Sequence, residues 1–133
     1  MTVKTFPATD EALNDAIAFT EEELENLDCP LKTVMQITVC VEEMFVNVAH
    51  YAYGSDTGDV TMTIDGEDGG VSISLADCGM PFDPLAKADP DITLSAEERN
   101  IGGLGIYMVK KSMDDVSYKR CGDQNIFTMK KKF

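Results

Sequence analysis

Asp59-Val60-Thr61-Met62-Thr63-Ile64-Asp65-Gly66-Glu67-Asp68-Gly69-Gly70-Val71-Ser72-Ile73-Ser74-Leu75-Ala76-Asp77 alternates with a period of two on either side of a glycine-rich turn. Successive side chains of a strand point to opposite faces, so Val60, Met62 and Ile64 share one face and Thr61, Thr63 and Asp65 the other. After the turn, Val71, Ile73 and Leu75 repeat the apolar side, with Ser72, Ser74 and Ala76 opposite. This is an antiparallel hairpin with one buried face. Such a face has to be covered by another layer.

The flanking sequence supplies that layer. Upstream, Pro30 opens a helix that runs to about Tyr53, where Gly54 supplies a stop; Leu31, Val34, Ile37 or Thr38, Val41, Phe45, Val48 and Ala52 mark its apolar face. Before it, Thr2 to Phe6 is β-prone and ends at Pro7. Thr9 can then cap a helix carrying Leu13, Ile17, Leu24 and Leu27, whose cluster Glu21, Glu22, Glu23 and Glu25 reads as a solvated face.

Downstream, Asp77 to Gly105 is punctuated by Gly79, Pro81, Pro84, Pro90 and Gly102-Gly103, and residues 85–102 read as a lid with one helical turn near Leu85 to Lys87. Ile106 to Asp114 predicts a third helix, and Val116 to Cys121 with Gln124 to Phe133 a second hairpin. The order β, α, α, β, β, lid, α, β, β implies an α/β two-layer sandwich. Its sheet is mixed, mostly antiparallel, with helices on one face, in one domain over residues 1–133.

The chain has 133 residues, enough for one sizeable core, and 11 Lys+Arg against 24 Asp+Glu give a net charge of -13. That field repels phosphate backbones and anionic lipids, so direct binding to nucleic acid or a membrane is disfavoured, and any anionic ligand has to be attracted locally. Cys29, Cys40, Cys78 and Cys121 are widely separated and only one histidine is present, which argues against a zinc site and for reduced thiols. The N-terminus lacks the apolar core of a signal peptide, so a cytoplasmic location is expected.

Three segments carry chemistry. Val41-Glu42-Glu43-Met44-Phe45-Val46-Asn47-Val48-Ala49-His50 stacks Glu43 and Asn47 on one helix face. The carboxamide oxygen of Asn47 is a Mg2+ ligand type and the carboxylate of Glu43 a proton acceptor. Taken alone, the pair is what any two polar neighbours look like. Leu75-Ala76-Asp77-Cys78-Gly79 ends an apolar strand on a carboxylate that can accept a hydrogen bond from an exocyclic amine, with a glycine beside it; taken alone, it is a turn. Gly102-Gly103-Leu104-Gly105 runs into a helix whose first N–H groups can hold phosphate oxygens; the bland alternative is a hinge. Neither GxxxxGK followed by Ser or Thr nor the motifs of eukaryotic-type kinases occur.

In this order, ExxxN on a helix, DxG after a strand and GxG opening a helix after a lid resemble the asparagine box and two glycine boxes of the GHKL ATPase superfamily, with its Bergerat-type ATP-binding fold. Val41 to Tyr53, Asp77 to Pro84 and Gly102 to Asp114 look most like the bacterial anti-sigma-factor serine/threonine kinases. The resemblance implies Glu43 as general base, Asn47 as Mg2+ ligand and Asp77 as the adenine-recognising carboxylate. Gly79, Gly103, Leu104 and Gly105 would shape the pocket and lid, Arg99 would be a lid cation for the γ-phosphate, and Thr128 would stand near the adenine. Those kinases often carry histidine four residues after the asparagine; here Tyr51 stands there and His50 is rotated by about 100 degrees, which makes His50 structural. Glu42, offset by five residues from Asn47, is the weaker candidate base.

The expectation is therefore a Mg2+-ATP-dependent kinase that phosphorylates a serine or threonine of an antagonist-like protein. Sequestration of a sigma factor and homodimerisation are further expectations of the resemblance alone. Two rivals stand beside it: a nucleotide-binding regulatory module that transfers no phosphoryl group, and a relative of sensor kinases acting on a separate histidine.

Overall fold

The computed structural model describes residues 1–54, 56–86 and 103–133. In chain order they form β1 (Thr2–Pro7), a 3-10 turn (Asp10–Ala12), α1 (Leu13–Asn26), α2 (Leu31–Tyr51), β2 (Asp59–Glu67), β3 (Gly70–Asp77), α3 (Gly103–Ser112), β4 (Asp115–Cys121) and β5 (Gln124–Lys132). The expected lid lies outside the described residues from position 87 onward.

The five strands make one sheet in the order β1-β2-β3-β5-β4. Each neighbouring pair is antiparallel, so the sheet expected as mixed and mostly antiparallel is antiparallel at every described pairing. Both hairpins fall where the alternation placed them. The pairing of β3 with β5 is non-local, and it sets Leu75 opposite Phe127 and Asp77 opposite Asn125. Directly opposed residues share a face. One pleat side therefore carries Leu75, Asp77, Asn125 and Phe127.

That side is the buried one. Val60, Met62, Val71, Ile73, Leu75 and Met129 are inaccessible to water, as are Ile37, Val41 and Phe45 at successive turns of α2. From α1 come Ala16, Phe19 and Leu24, and Phe6 of β1 meets Phe19 and Phe45 with ring centroids 5.8 and 6.2 Å apart. Full burial of side chains this size contributes about 1.5–3 kcal/mol each, so these apolar stripes hold the two layers together. The apolar face of α2 starts later than its sequence pattern implies, since Leu31 is 76% exposed.

Three helix starts also differ from expectation, and α3 opens at Gly103 rather than Ile106. Thr9 has the extended backbone of a cap, but its hydroxyl makes no capping hydrogen bond and a 3-10 turn precedes α1. Pro30 is the residue flanking α2 rather than a member of its first turn. The far end of α3 is tied to the sheet by Lys131, whose Nζ donates to the Ser112 carbonyl at 2.7 Å. Beneath it, burial pushes the Cys40 thiol up from its ordinary value, against a hydrogen bond with Ser112 that acts the other way. No helix among the described residues is long and apolar enough to cross a membrane.

Candidate functional site

The C-terminal half of α2 and the ends of β3 and β5 enclose a cleft of about 470 Å³, counting its open mouth. Met44, Asn47, Val48, Tyr51 and Ala52 form the helix wall, and Leu75, Asp77, Tyr118, Asn125 and Phe127 the sheet wall. Met80, Phe82 and Pro84 form the rim. A mainly apolar lining with a few polar groups is the usual composition of small-molecule sites. Asn47 and Asp77, 30 residues apart in sequence, line the same cleft because α2 crosses the buried face over β3.

Asp77 is 6% exposed and held in place. Its Oδ1 accepts from the Gly79 N–H at 2.9 Å and from Asn125 Nδ2 at 2.9 Å. Among the described residues Oδ2 accepts nothing, and no buried side-chain nitrogen or oxygen there is left without a partner, so Oδ2 is reached from the cleft. The loop that follows docks on the end of α2, where the Met80 N–H donates to the Ala52 carbonyl at 2.9 Å. A Cβ on Gly79 would lie 2.2 Å from that same carbonyl oxygen, so the approach is open only to glycine.

Two further residues brace the loop. Arg120 Nη1 donates to the Gly79 carbonyl at 2.8 Å. The Tyr53 hydroxyl donates to the Asp59 carbonyl at 2.5 Å and accepts from the Cys78 N–H at 2.9 Å. Burial pushes the Tyr53 phenol above its ordinary value, with the Asp77 and Asp59 carboxylates acting in the same direction.

Glu43 stands one helical turn before Asn47, against the start of α3. A Cβ on Gly105 would lie 2.3 Å from Glu43 Oε2, so the glycine lets the carboxylate and the helix start meet. Gly103 is the first residue of α3, and Leu104 lies in its first turn. Arg99 and Gly102 lie outside the described residues. Glu42 is exposed, and His50 has the structural role expected of it: Nε2 sits 2.8 Å from Asp10 Oδ1, pinning the turn before α1 to α2.

Thr128 is not brought to this site. It pairs with Ser74 and Ser117 on the open face of the sheet, whereas the cleft is lined by its neighbour Phe127 and by Asn125. Strand alternation decides this, because an odd separation from Asn125 or Phe127 puts a side chain on the other face. The residue that sequence reasoning missed is Asn125, 6% exposed and bonded to Asp77. Its signal was available only once β3 had been paired with β5.

Comparison with known proteins agrees with this fold. The histidine kinase-like ATPase domain pattern matches residues 6–131. The serine-protein kinase RsbW of Bacillus cereus is 29% identical over 87 residues, which is 62% of this chain and 54% of that protein. RsbW of Bacillus anthracis is 28% identical over the same length. The chain thus spans about half the length of these relatives. Two solved structures share the fold: the RsbU and RsbW domains of Rv1364c from Mycobacterium tuberculosis, with TM-score 0.65 and 16% identity over 99% of this chain and 32% of that one, and the SiaB-SiaC complex from Pseudomonas aeruginosa, with TM-score 0.60 and 17% identity over 100% and 90%. With the pattern matched from β1 into β5, the chain belongs to the histidine kinase-like ATPase domain family.

Proposed function

We propose that the chain binds ATP with Mg2+ and transfers the γ-phosphoryl group to a serine or threonine of a partner regulatory protein. The observation that carries the reading is the convergence of Asp77 and Asn47 on one apolar-walled cleft, with Oδ2 of Asp77 left for a ligand. A buried acceptor of this kind takes a hydrogen bond from an exocyclic amine, and the apolar walls take the faces of a base.

The residues present fit the ligand. Gly79 lets the loop after Asp77 dock on the end of α2, and Gly105 leaves the start of α3 bare beside Glu43. Asn47 would hold Mg2+ through its carboxamide oxygen, and the metal would offset charge on the phosphates when bound. Glu43 would accept the proton of the attacking hydroxyl, a role that its place one turn from Asn47 allows. Gly103, Leu104 and Gly105 would offer N–H groups to the phosphates. Arg99 is kept as a candidate lid cation on its sequence alone.

The kinase reading over a purely regulatory one is favoured by the carboxylate at position 43 and by relatives named as serine-protein kinases. The phospho-acceptor is proposed to be an antagonist-like protein, with sigma-factor binding and self-association as further roles of the same chain in the cytoplasm.

Calorimetric titration of Mg2+-ATP into the wild type and the Asp77→Asn, Asn47→Ala and Glu43→Ala variants tests this. Micromolar binding that is lost in Asp77→Asn, weakened in Asn47→Ala and kept in Glu43→Ala is the expected pattern. A wild type that binds no ATP would remove both the kinase and the nucleotide-switch readings. Binding without phosphoryl transfer to any antagonist-like neighbour would leave the switch.

A further inference from the structure

We infer that Asn125, held by Tyr118, is the positioning residue that decides which oxygen of Asp77 reads the ligand; the inference rests on the nucleotide site proposed above. A carboxamide has two N–H donors and two acceptor lone pairs. In Asn125 all four are engaged. Nδ2 donates to Asp77 Oδ1 at 2.9 Å and to the Met80 carbonyl at 2.8 Å. Oδ1 accepts from the Tyr118 hydroxyl at 2.5 Å and from the Phe82 N–H at 3.3 Å. No group of Asn125 is left to touch a base.

Its effect is therefore indirect and has two parts. Together with the Gly79 N–H, Asn125 saturates Oδ1, so the carboxylate cannot rotate freely and presents Oδ2 to the cleft. By bonding Met80 and Phe82 it also fixes the rim loop from the sheet side, while Ala52 fixes it from the helix side. The amide's orientation is set by one-way backbone partners, since the Phe82 N–H requires the oxygen and the Met80 carbonyl requires the NH2; the Tyr118 hydroxyl, opposite Phe127 on β4, adds a second hydrogen bond to that oxygen. An acceptor aimed into the cleft admits an amine and opposes a carbonyl, so for a purine that enters with its six-position edge toward Asp77, fixing Oδ2 favours ADP, which has an amine there, over GDP, which has a carbonyl.

The test uses ADP and GDP as probes, titrated calorimetrically into the full chain. Asn125→Leu keeps the shape and removes every polar contact; it is expected to weaken ADP by roughly tenfold or more and to narrow the ADP to GDP ratio. Tyr118→Phe removes one hydroxyl and shifts the same ratio in the same direction by less. The Asn125→Asp variant gives the sharpest reading. It sets a second carboxyl against Asp77, and two such groups cannot both ionise cheaply. Among the described residues, the other charged or titratable groups near this point are the Arg120 guanidinium at the Gly79 carbonyl, the Tyr53 phenol, and the phenols of Tyr118 and Tyr51 in the cleft lining.

At pH 5 a protonated carboxyl at 125 still donates to Oδ1, and at pH 8 it does not. The ratio of variant to wild-type ADP affinity is therefore expected to fall as pH rises from 5 to 8, by up to about tenfold per unit where the pair titrates. Wild-type ADP binding alongside an Asn125→Leu variant of equal affinity and selectivity, or an Asn125→Asp ratio flat with pH, overturns the inference and leaves the nucleotide site standing. A wild type that binds no ADP overturns both.

Discussion

The two ends of the cleft are built differently. At one end Asp77, Gly79, Arg120 and Asn125 are joined by hydrogen bonds of 2.8–2.9 Å, with Tyr53 and Tyr118 bracing them from either side. On the α3 side, Asn47 lines the cleft and Glu43 stands one turn before it, close to Gly105; neither side chain makes a hydrogen bond to another described residue. The first end is preorganised by the fold. The second is a set of groups that a ligand would complete. A base is rigid and can be met by a fixed acceptor, whereas a phosphate chain brings charge that groups able to shift must follow. If the proposed nucleotide site is right, the Asp77 end would govern affinity and selectivity, and the Glu43 end would govern turnover.

The largest effect that tests the division is on turnover. Glu43→Gln keeps the shape of the side chain and removes its basicity, so phosphoryl transfer should fall by about 10²–10⁴-fold, the usual contribution of a positioned base. ADP affinity measured by calorimetry should stay at the wild-type value. An equal loss of both would mean that Glu43 also braces the cleft and that the two ends are not separable.

The two glycines sharpen the contrast. At Gly79 a Cβ meets backbone, the Ala52 carbonyl, which cannot move without unseating the end of α2. Gly79→Ala should cost about 1–3 kcal/mol in chemical denaturation and carry ADP binding down with it. At Gly105 the Cβ meets the far end of a glutamate side chain, which can swing away. Gly105→Ala should therefore leave the denaturation midpoint nearly unchanged and lower turnover by displacing the base. Similar midpoints for the two variants would contradict the distinction.

How much of this was legible in the sequence follows the same line. The hairpins, α2 with its Glu43–Asn47 stack, and the DxG turn are local patterns of alternation, helical spacing and turn chemistry, so a single chain displays them. The insertion of β5 between β3 and β4 is a long-range choice that no local period encodes. Asn125 was invisible for that reason: its meaning depends on lying opposite Asp77, 48 residues away. The family resemblance singled out Thr128 on β5, and strand alternation puts that residue on the face opposite Asn125.

Tyr53 tests the brace on the base end with a smaller effect. Tyr53→Phe removes a hydroxyl that joins β2 to the loop after β3 and should cost about 1 kcal/mol at pH 8. The pH dependence has a definite sign. The folded state raises the phenol's pKa, so it favours the neutral form; that share of stability is present below the unfolded value near 10 and is lost as pH rises through the folded value. Cys29 and Cys40, both raised by burial, add their own alkaline loss, so the quantity to follow is the difference between the wild type and Tyr53→Phe. That difference should shrink as pH goes from 8 to 11.

Thr128→Val is the smallest change and the cleanest check on which face of the sheet matters. Thr128 stands among Ser74, Ser117 and other hydroxyl residues on the open face, where Thr5 and Thr61 already hydrogen-bond each other at 2.9 Å. Valine has the same shape and high strand propensity, so stability should move by no more than about 0.5 kcal/mol. ADP and GDP affinities should not move at all, because the backbone of β5 and the side chains of Asn125 and Phe127 on its other face are untouched. If Thr128→Val instead weakened ADP as much as Asn125→Leu, the strand would have to be turned over in solution. Every assignment on the sheet wall of the cleft would then shift by one residue, with Asp77 and Asn125 no longer sharing a face.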